Sequence, residues 1–342
     1  MGEVVLEAMT RAFLDAGSSP AIFAWQGGEP TLAGIAFYRH ALSVQRRLAA
    51  DGQRVVNAFQ TNGVLVDEDW ADFLADNGFL VGLSIDGPAH SHDVMRSSAG
   101  GTPSHSLAVA AWRLLQDRGC PVNVLCVVHR ENTSRAAELY HYFTTELGAD
   151  HLQFIPCVEW TRSGPLRDFS LRPGEYAHFL VELFDLWAAE SDRPISIKLF
   201  DDLALFLAGK LMRDCMHRAA CDSHLVIERD GSVYPCDFFV GEQYHLGNIS
   251  KQSILDLTQV PPARIFRDRK SRQAPLGCAE CRHFDICRGG CCKFWRPSHE
   301  GSFTQYLCSD MRYFLDQRRP YLEQMARALR ARWWQWGASS DT

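Results

Sequence analysis

The sequence predicts an α/β protein, in which a parallel sheet or partial barrel precedes a cysteine-rich region. Three observations support this prediction. Short apolar runs alternate with helical patterns over roughly the first 155 residues, and the β-rich runs recur about every 25–40 residues. Nine of the twelve cysteines lie between Cys215 and Cys308. Strands that alternate with helices are typical of parallel α/β sheets.

Hydrophobic periodicity predicts the individual elements of the sheet region. The chain opens with an amphipathic helix rather than a strand, so the first βα unit looks incomplete. The strand candidates are 21–25, 55–60, 79–85, 121–128 and 151–155, and amphipathic helices lie near 33–50, 67–77, 104–118 and 133–147.

The second half of the chain has a different character. A helix is predicted over 173–190, with Pro173 near its first turn. Asp230-Gly231 separates two strand-like runs, which indicates a hairpin. From there to Cys308 little helix pattern is visible, and an amphipathic helix over 310–335 closes the chain.

Composition narrows the class of protein. With 46% hydrophobic and 22% charged residues among 342, the chain is globular and is neither disordered nor a coiled coil. The formal net charge of −6 leaves no basic field for nucleic acid or an anionic membrane. We find no membrane-spanning run and no signal peptide, so we expect a cytoplasmic protein with reduced thiols.

Eight of the cysteines form two sets of four, which predicts metal or cluster ligation. Thiolates suit either Zn²⁺ or an iron–sulfur cluster, so structural zinc sites remain an alternative. Gly289 and Gly290 would let the backbone bend around a bulky cluster. Cys120, Cys126 and Cys157 are interpreted as small buried hydrophobes, and Cys292 as a spare thiol. The spacing is Cys215-x5-Cys221-x14-Cys236, then Cys278-x2-Cys281-x5-Cys287-x3-Cys291-x16-Cys308.

Several motifs resemble those of the anaerobic sulfatase-maturating enzymes, which are radical S-adenosylmethionine (SAM) enzymes with a SPASM domain. The matching segments, which span essentially the whole chain, are FAWQGGEPTLAG (23–34), QTNG (60–63), LVGLSIDGP (80–88), LQFIPC (152–157), DGSVYPCDFFV (230–240), LGNI (246–249) and CAECRHFDICRGGC (278–291). The resemblance implies a partial (β/α)6 barrel that lacks its first strand over residues 1–200, and a two-cluster SPASM domain with a C-terminal helix over 201–342.

The resemblance also implies which cysteines hold each cluster. One auxiliary [4Fe-4S] cluster takes Cys215, Cys221, Cys236 and Cys291. The other takes Cys278, Cys281, Cys287 and Cys308. Full ligation by cysteine suits electron relay better than substrate binding.

The implied SAM site begins at the loop after the first strand candidate. Glycines at the carboxyl end of a strand let a small molecule approach the backbone, although GGEP alone is a weak signal that also fits a turn. By resemblance, Gln26, Gly27, Gly28 and Glu29 bind the amino group of SAM. Ser84 and Arg96 are implied SAM contacts, and Val158 an apolar adenosine contact. The alternatives are a strand-end cap for Ser84, a solvated charge for Arg96 and a core residue for Val158.

Asp237 is the candidate catalytic residue because it directly follows Cys236. A carboxylate beside an anionic cluster unit is expected to have a raised pKa, as a general base often does, although an exposed hairpin Asp is equally compatible with the sequence. In the family, the matching Asp deprotonates the Cys or Ser side chain that is being oxidised. Asp230 is assigned to the hairpin turn, and Glu228 and Glu242 to solvent.

The CxxxCxxC loop, which in radical SAM enzymes binds a third, SAM-binding [4Fe-4S] cluster, does not occur in this sequence. We expect the upstream reading frame to encode it, because the start is misassigned or the sequence is a fragment. A truly shortened, inactive gene is the alternative.

The implied activity is oxidation of a Cys or Ser of a sulfatase to Cα-formylglycine, with a flavodoxin or ferredoxin as electron donor. Two rivals remain open. One is another SPASM peptide-modifying enzyme, such as a thioether or quinone-cofactor maturase. The other is a non-catalytic iron–sulfur or zinc protein.

Overall fold

The computed structural model describes residues 1–17, 20–97, 100–190, 193–222 and 224–339, with the backbone alone for residue 300 and for 332–339. The chain folds into two compact units. Unit 1 comprises residues 1–83, 107–122 and 219–272, and unit 2 comprises 84–106, 123–218 and 273–342. Each unit thus combines three segments that are far apart in the sequence. The predicted boundary at residue 200 stays a prediction.

Six strands form one sheet in chain order, which confirms the predicted α/β fold class. They are β1 (Ala21–Trp25), β2 (Val55–Thr61), β3 (Leu80–Ser84), β4 (Val122–Val128), β5 (His151–Pro156) and β6 (Ser196–Ile197). The registers Ala21↔Val55, Ala58↔Leu80, Val124↔Leu152 and His151↔Ser196 are all parallel. Parallel strands place their carboxyl ends at one edge, where ligands bind in such sheets.

Helices connect the strands, as expected for parallel pairs. Those of the sheet region are α1 (Glu3–Asp15), α2 (Ile35–Leu48), α3 (Glu68–Asp76), α4 (Ala89–Met95), α5 (His105–Asp117), α6 (Ala136–His141), α7 (Glu175–Ala189) and α8 (Lys198–Leu207). α4, α8 and β6 were not predicted. Among the described residues, no helix combines the length and the apolar character that crossing a lipid bilayer demands.

The cysteine-rich region contains more helix than its sequence pattern indicated, so that expectation was wrong. Its helices are α9 (Ile254–Gln259), α10 (Pro261–Arg272), α11 (Phe284–Cys287) and α12 (Cys308–Ser339). Its strands are β7 (Val226–Ile227), β8 (Ser232–Tyr234), β9 (Gly247–Asn248), β10 (Trp295–Pro297) and β11 (Phe303–Gln305). β7 and β8 pair antiparallel around Asp230-Gly231, which confirms the hairpin. Gly231 adopts φ +86°, a conformation that favours glycine.

The core of unit 1 joins the start of the chain to the three-stranded sheet of β7, β8 and β9. Leu6 and Met9 of α1 and Phe23 of β1 belong to the same buried cluster as Val233 and Leu246. Burying such side chains contributes roughly 1.5–3 kcal/mol each. A second cluster in this unit is aromatic and packs α2 and α3 on β2; it includes Tyr38, Phe59, Trp70, Phe73 and Phe79.

The core of unit 2 is formed by α7, α8 and α12. The rings of Phe184, Phe200 and Phe314 meet with centroids 5.0–5.9 Å apart. The buried Asp310 of α12 accepts hydrogen bonds from the backbone N–H groups of Gly174 (2.9 Å) and Ala177 (3.0 Å). Since Gly174 has no side chain to cap α7, Asp310 satisfies these orphan donors from another helix.

Candidate functional site

The QGGEP loop follows β1 and exposes its backbone. Gly27 and Gly28 adopt φ values of +93° and +57°, in the left-handed region. A Cβ added at either residue would meet no atom within 4 Å, so the space beside the loop is open. Gln26, Gly27 and Gly28 are exposed. A small molecule can therefore reach the main chain here, as a SAM-binding loop requires.

Glu29 orders this loop through its own carboxylate. Oε1 accepts hydrogen bonds from the Thr31 N–H (3.1 Å), the Thr31 hydroxyl (2.7 Å) and the Thr61 hydroxyl (2.7 Å). Oε2 accepts one from the Asn62 N–H at 2.9 Å. Because these donors include residues at and beyond the end of β2, Glu29 fixes the loop to the neighbouring strand. Direct SAM contact by Glu29 stays a prediction.

Arg96 is ion-paired rather than simply solvated. Its Nε lies 2.5 Å from Oδ2 of Asp86 and its Nη2 lies 3.4 Å from Oδ1, while a quarter of the side chain remains exposed. The buried Asp86 also accepts a hydrogen bond from the Val127 N–H of β4 at 2.7 Å. The guanidinium is thus held at the carboxyl end of the strands, with an accessible portion that suits a carboxylate ligand.

Sequence reasoning did not identify Asp86, although it lies within the LSIDGP motif. The signal was an acid two residues beyond the end of a buried strand. Ser84, the last residue of β3, is buried. Val158 is fully buried, two residues after β5, as a core residue would be. The assignments of both as SAM contacts stay predictions.

The buried His92 supports the segment that carries Asp86 and Arg96. His92 Nδ1 accepts a hydrogen bond from the Asp86 N–H at 3.2 Å, so the ring proton resides on Nε2, which lies 3.1 Å from the Ser104 hydroxyl. The Ser104 hydroxyl in turn donates to the Arg96 carbonyl at 3.0 Å. Burial lowers the pKa of His92 to about 4. The imidazole is therefore neutral at physiological pH, as this hydrogen-bond pattern requires.

Four thiols of unit 2 line one small cavity. Cys278, Cys281, Cys287 and Cys308 all face a cavity of about 60 Å³. Cys278 and Cys281 lie in the loop before α11, Cys287 is the last residue of α11, and Cys308 is the first residue of α12. Four convergent sulfur donors form the ligand set that a [4Fe-4S] cluster or Zn²⁺ requires.

The pKa values of these thiols reflect their proximity. Burial, together with the neighbouring Cys308, raises the pKa of Cys278 and of Cys287 to about 11. Burial is also the main cause of the raised pKa of Cys308, and Cys281 adds to it. Such thiols deprotonate when a cation binds, so loading of this site releases protons.

Glycines shape the turn between Cys287 and Cys291. Gly289 and Gly290 have φ values of +75° and +63°. A Cβ on Gly290 would lie 2.4 Å from Nε2 of Gln305, and one on Gly289 would lie 3.0 Å from Pro275. The tight bend expected at these positions is therefore present.

The other predicted cysteine set has two members in each unit. In unit 1, the Cys221 N–H donates to the Arg267 carbonyl at 3.0 Å, and the Cys236 thiol donates to Asp237 Oδ1 at 3.2 Å. In unit 2, Cys215 begins a 3-10 turn, and the Lys293 N–H lies 3.5 Å from the sulfur of Cys291. The assignment of these four cysteines to one cluster stays a prediction.

Asp237 has a lowered pKa, opposite in direction to the shift expected for an acid beside an anionic cluster. The main cause is His224, whose Nε2 lies 3.7 Å from Asp237 Oδ1. The ligand atoms of His224, Cys236 and Asp237 lie within 4.8 Å of one another. Sequence reasoning considered Cys236 but missed His224, which is thirteen positions earlier. The carboxylate is 41% exposed and ionised at neutral pH, and it can accept a proton from a bound substrate.

Comparisons with known proteins agree with this architecture. Residues 3–143 match the radical SAM superfamily, and residues 215–282 match an iron–sulfur cluster-binding domain, SPASM. A cysteine-type anaerobic sulfatase-maturating enzyme of Clostridium perfringens is 36% identical over 333 residues, covering 95% of this chain and 89% of the relative. A serine-type enzyme of Bacteroides thetaiotaomicron is 30% identical, covering 96% and 83%.

Solved structures give the same result. Native anSMEcpe with bound AdoMet and Cp18Cys peptide superposes with a TM-score of 0.90 at 34% identity, covering 96% of this chain and 92% of that one. The parallel sheet, the QGGEP loop and the thiol tetrad thus define a radical SAM protein with an iron–sulfur domain. The identity and coverage go further: the chain belongs to the anaerobic sulfatase-maturating enzymes.

The cofactors of this class are SAM and [4Fe-4S] clusters, as predicted. The structure fits both. Four cysteines present sulfur to the 60 Å³ cavity, which His283 also lines. In unit 1, the QGGEP loop offers open backbone. In unit 2, Asp86, two residues after Ser84, holds Arg96.

Proposed function

We propose that this chain oxidises a Cys or Ser side chain of a sulfatase polypeptide to Cα-formylglycine, in the cytoplasm. The observation that carries the proposal is the 36% identity to a cysteine-type sulfatase-maturating enzyme over 95% of the chain. A similar solved structure contains both AdoMet and a peptide, which supports a peptide substrate here.

Each candidate residue has a defined role in this proposal. Gln26, Gly27 and Gly28 present the backbone to the amino group of SAM, while Glu29 keeps their loop in place. Arg96 and Ser84 receive the SAM carboxylate, and Val158 supports the adenosine from the core. Cys278, Cys281, Cys287 and Cys308 hold one auxiliary cluster, and Cys215, Cys221, Cys236 and Cys291 hold the other.

The oxidation removes two electrons and two protons from the substrate side chain. When bound, SAM and the clusters supply the hydrogen-atom acceptor and the electron acceptor of this reaction. Asp237 takes the remaining proton from the thiol or hydroxyl group, and its lowered pKa keeps it in the basic form beforehand. Oxidation of Cys then gives a thioaldehyde, which water converts to the aldehyde with release of sulfide. A flavodoxin or ferredoxin supplies the electron that cleaves SAM.

Substitution of Asp237 tests the proposed base. A form of the protein that also carries a CxxxCxxC loop, which this sequence does not contain, is loaded anaerobically with iron and sulfide. It is mixed with SAM, a reductant and a sulfatase peptide that carries Cys or Ser at the target position. General base catalysis contributes roughly 10²–10⁴-fold, so Asp237→Asn should slow aldehyde formation by about that factor while SAM cleavage continues. Mass spectrometry of the peptide and chromatography of cleaved SAM measure both.

Asp230→Asn is the matched control, because Asp230 is an exposed acid of the hairpin of β7 and β8, whose carboxylate accepts hydrogen bonds from the N–H and the hydroxyl of Ser232. It should retain wild-type turnover. Equal rates for Asp237→Asn and wild type would exclude Asp237 as the base. No aldehyde from either peptide, with the CxxxCxxC-containing protein at its full iron content and Asp237 intact, would overturn the proposed activity itself.

A further inference from the structure

The segment between Cys291 and Cys308 is a β-hairpin, formed by β10 and β11 with Trp295 opposite Gln305. Each end of this segment is a proposed cluster ligand. The hairpin is also fixed to the glycine turn, since Trp295 Nε1 donates to the Gly289 carbonyl at 2.7 Å. Ligation of the cysteines would therefore anchor the hairpin at both ends.

Two cations of this segment hold the loop that follows β5. Lys293 Nζ pairs with Glu159 Oε1 at 2.5 Å, and only 18% of the lysine side chain is exposed. The Arg296 guanidinium lies 3.2 Å from the centroid of the Trp160 ring, which is closer than most cation–π contacts. Glu159 and Trp160 are consecutive loop residues, directly after Val158.

Tyr306, the residue after β11, also contacts the loop that follows β5. Its ring meets Trp160 edge-on with centroids 5.4 Å apart, and its hydroxyl donates to the Leu171 carbonyl at 3.1 Å. The start and the end of the loop are thus both tied to the segment between the two cysteines.

The loop is internally closed, so anchoring it at a few points orders all of it. The Ser170 hydroxyl bonds both the N–H (2.9 Å) and the carbonyl (3.0 Å) of Glu159. The Leu171 N–H donates to the Cys157 carbonyl at 3.0 Å. The loop starts at the carboxyl end of β5, which is the ligand-binding edge of a parallel sheet.

We propose that Lys293 and Arg296 are positioning residues, which transmit the order of the loaded cysteine region to the 157–171 loop and hence to the proposed adenosine end of the SAM site. This inference rests on the proposed cluster ligands. Without ligation, Cys291 and Cys308 are held by the chain alone, so the hairpin and the loop it holds gain freedom together.

Hydrogen–deuterium exchange of peptides covering 157–171 tests the proposal, without requiring turnover. In wild-type protein, removal of iron by a chelator should accelerate exchange in this loop by about tenfold, the order expected when a partly buried cation–π contact and an ion pair weaken together. The loaded double variant Lys293→Met/Arg296→Leu should exchange faster than loaded wild type, and chelation should accelerate its exchange less than it accelerates that of wild type, because only the Tyr306 contacts still join the loop to the hairpin.

Three measurements make the outcome decisive. Iron content must stay at the wild-type level in the double variant, and Lys293→Arg with Arg296 intact should restore slow exchange. Arg318→Leu, which removes the Arg318–Asp185 ion pair of the same unit, should leave the loop unchanged. Slow exchange in the loaded double variant, or no response of wild type to chelation, would overturn the proposal. Since exchange is read without substrate, neither result depends on whether a peptide is oxidised.

Discussion

Acid should destabilise the segment 84–96 through His92. Its pKa falls from the ordinary 6.5 to about 4 on folding. The His92 side chain is therefore protonated below about pH 6.5 in the unfolded chain, but only below about pH 4 in the folded protein. The free energy of unfolding decreases as the pH falls from about 6.5 to about 4. At 1.36 kcal/mol per pKa unit, the full loss is about 3 kcal/mol, of which about 2 kcal/mol is lost by pH 5.

The structure also predicts which segment is destabilised when His92 is protonated. A protonated His92 can no longer accept the Asp86 N–H, so the loop that carries Asp86 and Arg96 should open locally. His92→Gln offers an oxygen to the Asp86 N–H and an amide N–H to Ser104, and it does not titrate in this range. The variant is thus the control for every other acid-sensitive group.

The assay compares wild type and His92→Gln at pH 7.5 and pH 5.0 by guanidinium unfolding and by hydrogen exchange of peptides covering 84–96. Only samples with equal iron content are compared. Wild type should lose about 2 kcal/mol more than the variant between the two pH values. If both proteins lose the same stability, His92 does not titrate as argued and the reasoning is refuted.

Three further predictions concern the clusters and their surroundings. Cys308→Ser should reduce the iron bound from about eight to about four atoms per chain, since it removes one ligand of a single [4Fe-4S] set, and an unchanged iron content would count against the tetrad. Glu29→Gln should weaken SAM binding several-fold and lower the free energy of unfolding by about 1–3 kcal/mol, because an amide cannot accept hydrogen bonds from the Asn62 N–H and both threonine hydroxyl groups together. Equilibrium dialysis measures the affinity and chemical unfolding the stability. Unchanged values of both would contradict this prediction. Gly290→Ala should cost about 1–3 kcal/mol in thermal or chemical unfolding, because φ is +63° and the new Cβ would displace Gln305, and a neutral effect would show that the turn can relax.

Much of the sheet is predictable because its strands are apolar runs with a clear period. The 21–25 run is β1, and the other predicted strands match the observed ones within two residues at either end. β6 was missed because two residues carry no period. α10 was missed because its sequence, PPARIFRDRKSR, is dominated by charge and buries only Ala263, Phe266 and Lys270.

The candidate site is predictable where chemistry depends on spacing along the chain. The cysteine spacing identified eight candidate ligands, and the family resemblance grouped four of them that the structure places around one cavity in unit 2. The spacing could not identify His224 beside Asp237 or His92 beneath Asp86, because such contacts are set by tertiary folding. The lowered pKa of Asp237 could not be predicted for this reason: the neighbour that dominates it, His224, was not visible in the YPCD motif.

The shared core of unit 1 has a consequence for how the chain emerges from the ribosome. Leu6 and Met9 find their apolar partners Val233 and Leu246 only after more than 200 further residues have been made. Phe23, Ala41 and Val44 of the same cluster are made early, but until the later residues appear this core is incomplete and part of its apolar surface is open to association with other chains. Closing so long a loop also slows folding. A recombinant fragment that ends before the hairpin of β7 and β8 would leave this apolar surface exposed. The solubility of a fragment should therefore depend on including residues up to about 272.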